Sequence, residues 1–309
     1  MLVDGRWVGR FQPVQSKDEE GGFVRQPSQF RHWVGRDSDF PLEPDRYHLY
    51  VCMVCPWACR TLAARALLGL EGAITVSRVQ PRLTEQGWAF AESGLEADPF
   101  LDAQFMHQIY THSDEHYTGR ATVPVLWDKK QCCIVNNESA DILRMFNREF
   151  RPLASSVLDL FPADLENEIE TLGQRYYERF NNGVYRAGFA TTQVAYNRAV
   201  NEVFESLDEI EMRLSGKEYL LGGRLTALDI RLFVTLARFD VAYHGVFKCN
   251  LRRVADYPQI SAYLQRLYRL PGMAATVDII AIKQGYYSIL DINPTGIIPI
   301  GPGVLPFTI

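Results

Sequence analysis

The sequence predicts an α/β domain followed by an all-helical one, and three observations lead there. The chain has 309 residues, above the ~100–200 typical of one domain, so two packed domains are expected. Strand-like runs alternate with helical spacing as far as Phe150, whereas strand signals vanish from Ala163 onward and long amphipathic segments take over. Apolar residues are 47% and charged residues 22%, as in ordinary globular proteins, which excludes wholesale disorder, collagen and coiled coil.

Residues 1–45 are polar, studded with aromatics and rich in Gly and Pro without sustained periodicity, and read as an irregular extension. The α/β domain is expected over 46–150. Tyr47–Met53 reads as a buried strand, and Pro56–Leu68 then sets Leu62, Ala63, Ala66 and Leu67 at helical spacing before Gly69. Pro56 suits the first helical position, where a missing N–H costs nothing, so Cys55 falls at the N-cap. Ala73–Val79 is a second strand, which completes a βαβ unit with a right-handed, parallel crossover. Thr122–Trp127 and Cys133–Asn136 are short runs joined by the polar Asp128–Gln131, a hairpin, and a helix follows over Glu138–Phe150. The order β-α-β then β-β-α is the thioredoxin-like pattern.

The all-helical domain is expected over 160–290, with helices at 164–182, 192–214, 226–240 and 258–269. Thr226-x-x-Asp229 has the shape of a capping box and fixes where the third of these starts. Residues 291–309 form the remaining segment. From 292 to the end it carries no charge, long enough to test as a membrane span, but Pro294, Pro299, Pro302 and Pro306 deny it a helix. We therefore expect an extended tail lying on protein and no membrane association.

The net charge is −5, from 32 basic and 37 acidic residues without a long block of either sign, so a nucleic-acid partner has no electrostatic footprint. The basic residues are 26 Arg and 6 Lys; guanidinium groups hold carboxylates bidentately, although compositional bias explains the same excess. The first residues lack the apolar core of a secretory signal, so no export is expected. Six cysteines, three of them at positions 52, 55 and 59, fit a reducing, cytoplasmic setting and thiol chemistry rather than a disulfide scaffold.

Cys55-Pro56-Trp57-Ala58 at the strand-to-helix turn is the strongest chemical feature. A thiol there meets the positive end of the helix dipole, which stabilises thiolate, the nucleophilic form. Cys52-x-x-Cys55 matches a dithiol string, but its second member caps the helix, unlike a thioredoxin dithiol. Cys59, one helical turn on, reads either as a resolving thiol or as a small buried side chain. Cys132, Cys133, His107, His112 and His116 lack ligand spacing, and no metal is expected. Pro124 inside a strand pattern marks an edge, a bulge or a cis bond, leaving Val123 able to offer backbone groups to a peptide-like ligand. Asn136-Asn137-Glu138-Ser139 opens a helix, where it either caps or holds a ligand amine and carboxylate. Tyr185, Tyr286 and Tyr287 offer phenols that can donate protons, or serve as core.

Taken together, the chain resembles the glutathionyl-hydroquinone reductases, the xi class of glutathione transferases. The matching strings run through almost all of it: Arg25-Gln26-Pro27-Ser28, Phe30-Arg31-His32-Trp33, Cys55-Pro56-Trp57-Ala58, Gly87-Trp88-Ala89-Phe90, Thr122 through Asp128, Asn136 through Ser139, Asn181 through Ala190, Phe247-Lys248-Cys249-Asn250, Tyr286-Tyr287 and Ile292-Asn293-Pro294-Thr295. The family usually has His where Cys59 stands and commonly Ser where Cys52 stands. The resemblance implies the glutathione transferase architecture, with glutathione as cosubstrate beside the nucleophile Cys55. It implies that Trp88, Val123 with Pro124, Glu138 and Ser139 hold glutathione. Tyr185, Tyr286 and Tyr287 would line the pocket for the quinone part of a glutathione conjugate, a phenol among them supplying a proton. It also implies a homodimer through the helical domain. An omega-like thioltransferase or dehydroascorbate reductase, and a non-catalytic binding module of the same fold, are the alternatives.

Overall fold

The computed structural model describes residues 1–307. The chain divides into two units, Met1–Phe11 with Pro27–Leu158, and Gln12–Gln26 with everything from Asp159 on. The first 45 residues thus contribute to both, and residues 308 and 309 of the expected tail lie outside the described residues.

In the first unit a four-stranded mixed sheet has the order β4-β3-β5-β6, where β3 is Tyr47–Val51, β4 Ile74–Arg78, β5 Val125–Asp128 and β6 Cys133–Asn136. Central β3 pairs parallel with β4 (Tyr47 opposite Ile74) and antiparallel with β5 (Tyr47 opposite Asp128). All five of its residues are buried, which is why the run reads as continuous apolar sequence rather than alternation. Helix α1, Pro56–Leu67, links β3 to β4 and buries Ala58, Cys59, Leu62 and Ala63, whereas Ala66 and Leu67 are half-buried. Beside the Asp128 end of the sheet, Arg46 Nε and Nη2 donate to Asp128 Oδ2 at 2.9 and 2.5 Å, and Asp128 Oδ1 accepts the N–H of Lys130 in the hairpin turn. The strand expected from Thr122 begins at Val125, because the Val123–Pro124 bond is cis and Pro124 has no N–H for a ladder.

Two further elements are ones the patterning did not announce. A short hairpin, β1 (Leu2–Val3) and β2 (Arg6–Trp7), pairs through Leu2 with Gly119, and the Gly5 N–H donates to Tyr117 O at 3.0 Å. Gly5 is required there: its φ is +68°, and a Cβ would sit 1.9 Å from the Glu115 carbonyl oxygen. Helix α2, Met106–Ser113, starts where Gln108 Oε1 accepts the N–H groups of Gln104 and Phe105 at 2.8 and 2.9 Å. Helix α3, Ser139–Arg148, closes this unit's layer.

The second unit is helical: α4 (Glu166–Tyr176), α5 (Gly183–Gly188), α6 (Gln193–Leu214), α7 (Ala227–Arg238), α8 (Pro258–Tyr268) and α9 (Ile279–Tyr287). The helix expected over 164–182 continues from α4 into a π-helical turn, Tyr177–Asn181, and a second such turn, Phe239–Tyr243, follows α7. Every residue of α7 is buried, so it forms the core of the unit. After α9 the chain runs without regular structure, tied by Lys283 Nζ to the Ile300 carbonyl at 2.6 Å and by Phe307 packed on Tyr268 at 5.1 Å. Among the described residues no helix is long and apolar enough to cross a membrane.

Candidate functional site

Cys55 stands where the sequence places it, at the N-cap of α1 with an extended backbone (φ −78°, ψ 115°). Its amide donates to Cys52 O at 3.1 Å and its carbonyl accepts the Cys59 N–H at 3.0 Å, so a tight turn and the first helical hydrogen bond fix it from both sides. The side chain is half-buried, and its thiol donates to the Val123 carbonyl at 3.4 Å. The loop carrying the cis Val123–Pro124 bond is thereby set directly against the thiol.

The other two crowded thiols differ in kind. Cys52 and Cys59 are fully buried, Cys52 donating to Gln80 O at 3.8 Å and Cys59 to Met53 O at 3.5 Å. Burial pushes the Cys52 thiol well above the ordinary range, so it stays protonated and a poor nucleophile.

The start of α3 gathers polar groups. Glu138 caps it, Oε1 accepting the Ala140 N–H at 3.1 Å, while Oε2 accepts the Ser28 hydroxyl at 3.0 Å. The Glu138 amide in turn donates to Asn136 Oδ1 at 2.7 Å, and the Ser139 side chain is buried beside it. Asn137 locks this corner: its Oδ1 accepts the Phe30 N–H at 3.1 Å and its Nδ2 donates to the Tyr110 hydroxyl oxygen at 3.0 Å. Tyr110 then donates to Thr122 O at 2.9 Å. A path of hydrogen bonds thus runs from the start of α3 through Tyr110 to the residue before Val123, and Val123 touches Cys55.

Trp88 is half-buried on the segment that enters α2, and its carbonyl accepts the Met106 N–H at 2.9 Å. Its neighbour Ala89 accepts the Gln80 N–H at 2.8 Å, and Gln80 is the residue whose carbonyl meets the Cys52 thiol. The first unit therefore brings Cys55, Val123 and Pro124 together and joins Glu138 and Ser139 to them through Tyr110, a residue the sequence reading did not single out. Ser28, at the end of the Arg25–Ser28 string, is a direct partner of Glu138.

In the second unit Tyr185 and Tyr286 share a hydrogen bond of 2.6 Å between their hydroxyls, and Tyr286 shares another of 2.9 Å with Tyr243. Phe247 closes the cluster, its ring 5.3 Å from both Tyr185 and Tyr243. The Arg25 guanidinium lies 4.8 Å over the Tyr185 ring, held there by Asn182 Oδ1 at 2.7 Å. Burial, reinforced by the neighbouring phenols, pushes Tyr286 far above the usual tyrosine range, and burial does the same to Tyr243. Both hold their protons throughout the physiological range. Tyr287 is placed apart, half-buried, with its hydroxyl against Gly245. Tyr243 went unnoticed because nothing local marks it; only the π-helical turn and α9 bring it to Tyr286. Among the described residues no group of three or more His, Cys, Asp or Glu side chains is arranged to hold a metal ion.

Comparison with known proteins adds two family models: glutathione S-transferase, N-terminal domain, over residues 54–149, and glutathione S-transferase, C-terminal domain, over residues 193–266. The chain is 47% identical to a glutathionyl-hydroquinone reductase, PcpF, of Sphingobium chlorophenolicum, over 98% of this chain and 96% of that one. Its structure is similar to the xi glutathione S-transferase of Phanerochaete chrysosporium, with a TM-score of 0.91 and 46% identity, covering 93% of this chain and 95% of that one. It is likewise similar to the glutathione-bound structure of YqjG from Escherichia coli K-12, with a TM-score of 0.90 and 44% identity over 99% and 96% of the two chains.

Proposed function

Since this chain belongs to the glutathione transferases, and within them to the xi-class glutathionyl-hydroquinone reductases, we propose that it reduces glutathionyl-hydroquinones to hydroquinones at the expense of glutathione. The observation that carries the reading is Cys55, a half-buried thiol at the positive end of α1 and against the carbonyl of a cis-proline loop.

Cys55 thiolate attacks the sulfur of the conjugate, the carbon–sulfur bond breaks, and the ring carbon takes a proton, leaving hydroquinone and a Cys55–glutathione disulfide. A second glutathione thiolate attacks the glutathione sulfur of that disulfide, which frees Cys55 thiolate and yields glutathione disulfide. Over the cycle the thioether sulfur of the conjugate and the thiol sulfur of the second glutathione each give up one electron, the ring carbon takes both, and Cys55 returns unchanged, so no other redox partner is needed. A buried phenol is suited to the proton step because it remains protonated at neutral pH, and on the resemblance we assign that step to Tyr185 or Tyr286, with Tyr287 at the margin of the aromatic pocket. Val123 supplies backbone groups to the peptide part of glutathione, with Pro124 holding them in place and Trp88 packing alongside. Glu138 and Ser139 take its charged amino-acid end, the carboxylate of Glu138 facing the amine and the start of α3 facing the carboxylate. No metal has a part in this cycle. The same reading carries a homodimer through the helical unit and a cytoplasmic location.

The test is release of hydroquinone from a glutathionyl-hydroquinone with glutathione as the only reductant, followed by chromatography. Release with stoichiometric glutathione disulfide supports the proposal. Absence of release, with reduction of dehydroascorbate instead, would replace it with the omega-like activity.

Recognition is testable apart from turnover. Glu138→Gln keeps an oxygen to accept the Ala140 N–H, so α3 stays capped, but removes the charge offered to the amine. Loss of one charged hydrogen bond costs about 1.5–3 kcal/mol, so calorimetric titration should show glutathione bound roughly 10- to 150-fold more weakly. An unchanged Kd would remove Glu138 from the site.

A further inference from the structure

We propose that Trp7, on the N-terminal hairpin, is a positioning residue for glutathione recognition: it holds the turn Thr84–Gly87 and, through it, sets Trp88. The inference rests on the reading of Trp88 as a glutathione contact and extends it to a residue 81 positions earlier in the chain that touches no reacting atom.

Three observations converge on this pair. The Trp7 indole N–H donates to the Glu85 carbonyl at 3.0 Å, which fixes the turn in the middle of its span. Gly87 sits in the left-handed region at φ +81°, with the Trp7 ring so close that a Cβ on Gly87 would lie 3.0 Å from it. The same indole is braced by a second ring: Trp7 stacks on His107 at 4.7 Å with 19° between the ring planes. His107 follows Met106, whose N–H holds the Trp88 carbonyl. One indole therefore bears on Trp88 from both directions along the chain, through the turn that precedes it and through the helix start that grips its carbonyl.

The turn needs such a brace. Its own bonds are local, with Thr84 and Gly87 exchanging backbone hydrogen bonds of 3.0 Å and the Thr84 hydroxyl adding a third to Gly87 O. Those bonds shape the turn without anchoring it to the sheet. The hairpin, by contrast, is anchored: Leu2 and Gly119 exchange hydrogen bonds of 2.8 and 3.0 Å, and the Asp4 N–H donates to the Thr118 hydroxyl at 2.9 Å. Trp7 transmits that anchorage to the turn. A side chain that is displaced by about an ångström loses much of what it contributes to a bound geometry.

The experiment measures glutathione Kd by calorimetry, and KM and kcat with a glutathionyl-hydroquinone, for the full chain, Trp7→Ala, Trp7→Phe, Trp88→Ala and the Trp7→Ala/Trp88→Ala double variant. Trp7→Ala should raise Kd and KM for glutathione about tenfold while kcat at saturation stays within about twofold. Trp7→Phe, which keeps a ring on His107 and loses the indole N–H, should fall between the two. It also decides the matter if the alanine variant does not fold. The double variant should bind no worse than Trp88→Ala alone, because both changes remove one contact. If Trp88→Ala weakens binding while the Trp7 variants bind normally, or if the two effects simply add, the positioning role is overturned and Trp88 keeps its place. If Trp88→Ala itself binds normally, the reading of Trp88 fails, and the role of Trp7 falls with it.

Discussion

Cys55→Ser is expected to lower hydroquinone release by roughly three orders of magnitude or more, because a hydroxyl at neutral pH supplies almost none of its anion and cannot form the mixed disulfide. The side chain is nearly isosteric and its neighbour Val123 O accepts a hydroxyl as readily as a thiol, so the loss should come in turnover and leave glutathione binding and thermal stability close to wild type. Cys55→Ala should be equally inactive. The controls are its two neighbours. Cys52→Ser and Cys59→Ser should retain turnover, since both thiols are buried and engaged with backbone carbonyls, and Cys52 is held protonated. Mass spectrometry of the wild-type protein after one turnover, without excess glutathione, should find a single glutathione on Cys55. Activity persisting in Cys55→Ser, or a disulfide between Cys55 and either neighbour together with slow turnover in the matching variant, would show a different cycle.

What the sequence made legible here was local in origin. Pro56 at the first helical position and an apolar run before it were enough to put Cys55 at an N-cap, since both signals act within one turn of chain. The hairpin turn after β5 was readable for the same reason, Asp128 and its followers being turn formers in their own right. The expected strand starts three residues before the observed one because Thr122 and Val123 have strand-like side chains, whereas Pro124 has no N–H with which to carry the ladder back to them. Helix α2 escaped notice because eight residues with His107, Gln108, Thr111 and His112 present little periodicity, and its start depends on a side chain, Gln108, reaching back. The relay from Asn137 through Tyr110 to Thr122 spans separate elements and leaves no pattern in spacing at all. Tyr243 belongs to the same class, a phenol indistinguishable by neighbours from any core tyrosine until α9 delivers Tyr286 to it.

Asp229→Ala should destabilise the second unit by about 3–5 kcal/mol, lowering the Tm of its transition by roughly 6–20 °C. The carboxylate is fully buried and accepts four hydrogen bonds: Leu220 N–H at 3.0 Å and Tyr263 hydroxyl at 2.7 Å on Oδ1, Thr226 N–H at 2.8 Å and Thr226 hydroxyl at 3.0 Å on Oδ2. It therefore joins the start of α7, the segment before it and α8. Burial lifts its carboxyl above the usual range even against those four donors. Alanine leaves four buried donors without an acceptor, and each such group bears a desolvation cost that folding cannot recover. Asp229→Asn separates acceptance from charge: one oxygen can still serve two donors, but the amide nitrogen then faces one backbone N–H, donor against donor, and one hydroxyl that must turn to accept. Tyr263→Phe removes a single bond and should cost only about 0.5–1.5 kcal/mol. The order of stability in calorimetric or urea unfolding should accordingly be wild type, Tyr263→Phe, Asp229→Asn, Asp229→Ala. Should Asp229→Ala unfold within about 1 kcal/mol of wild type, below the cost of even one buried unpaired donor, α7 would owe its place to apolar packing alone and the four bonds would be incidental to it.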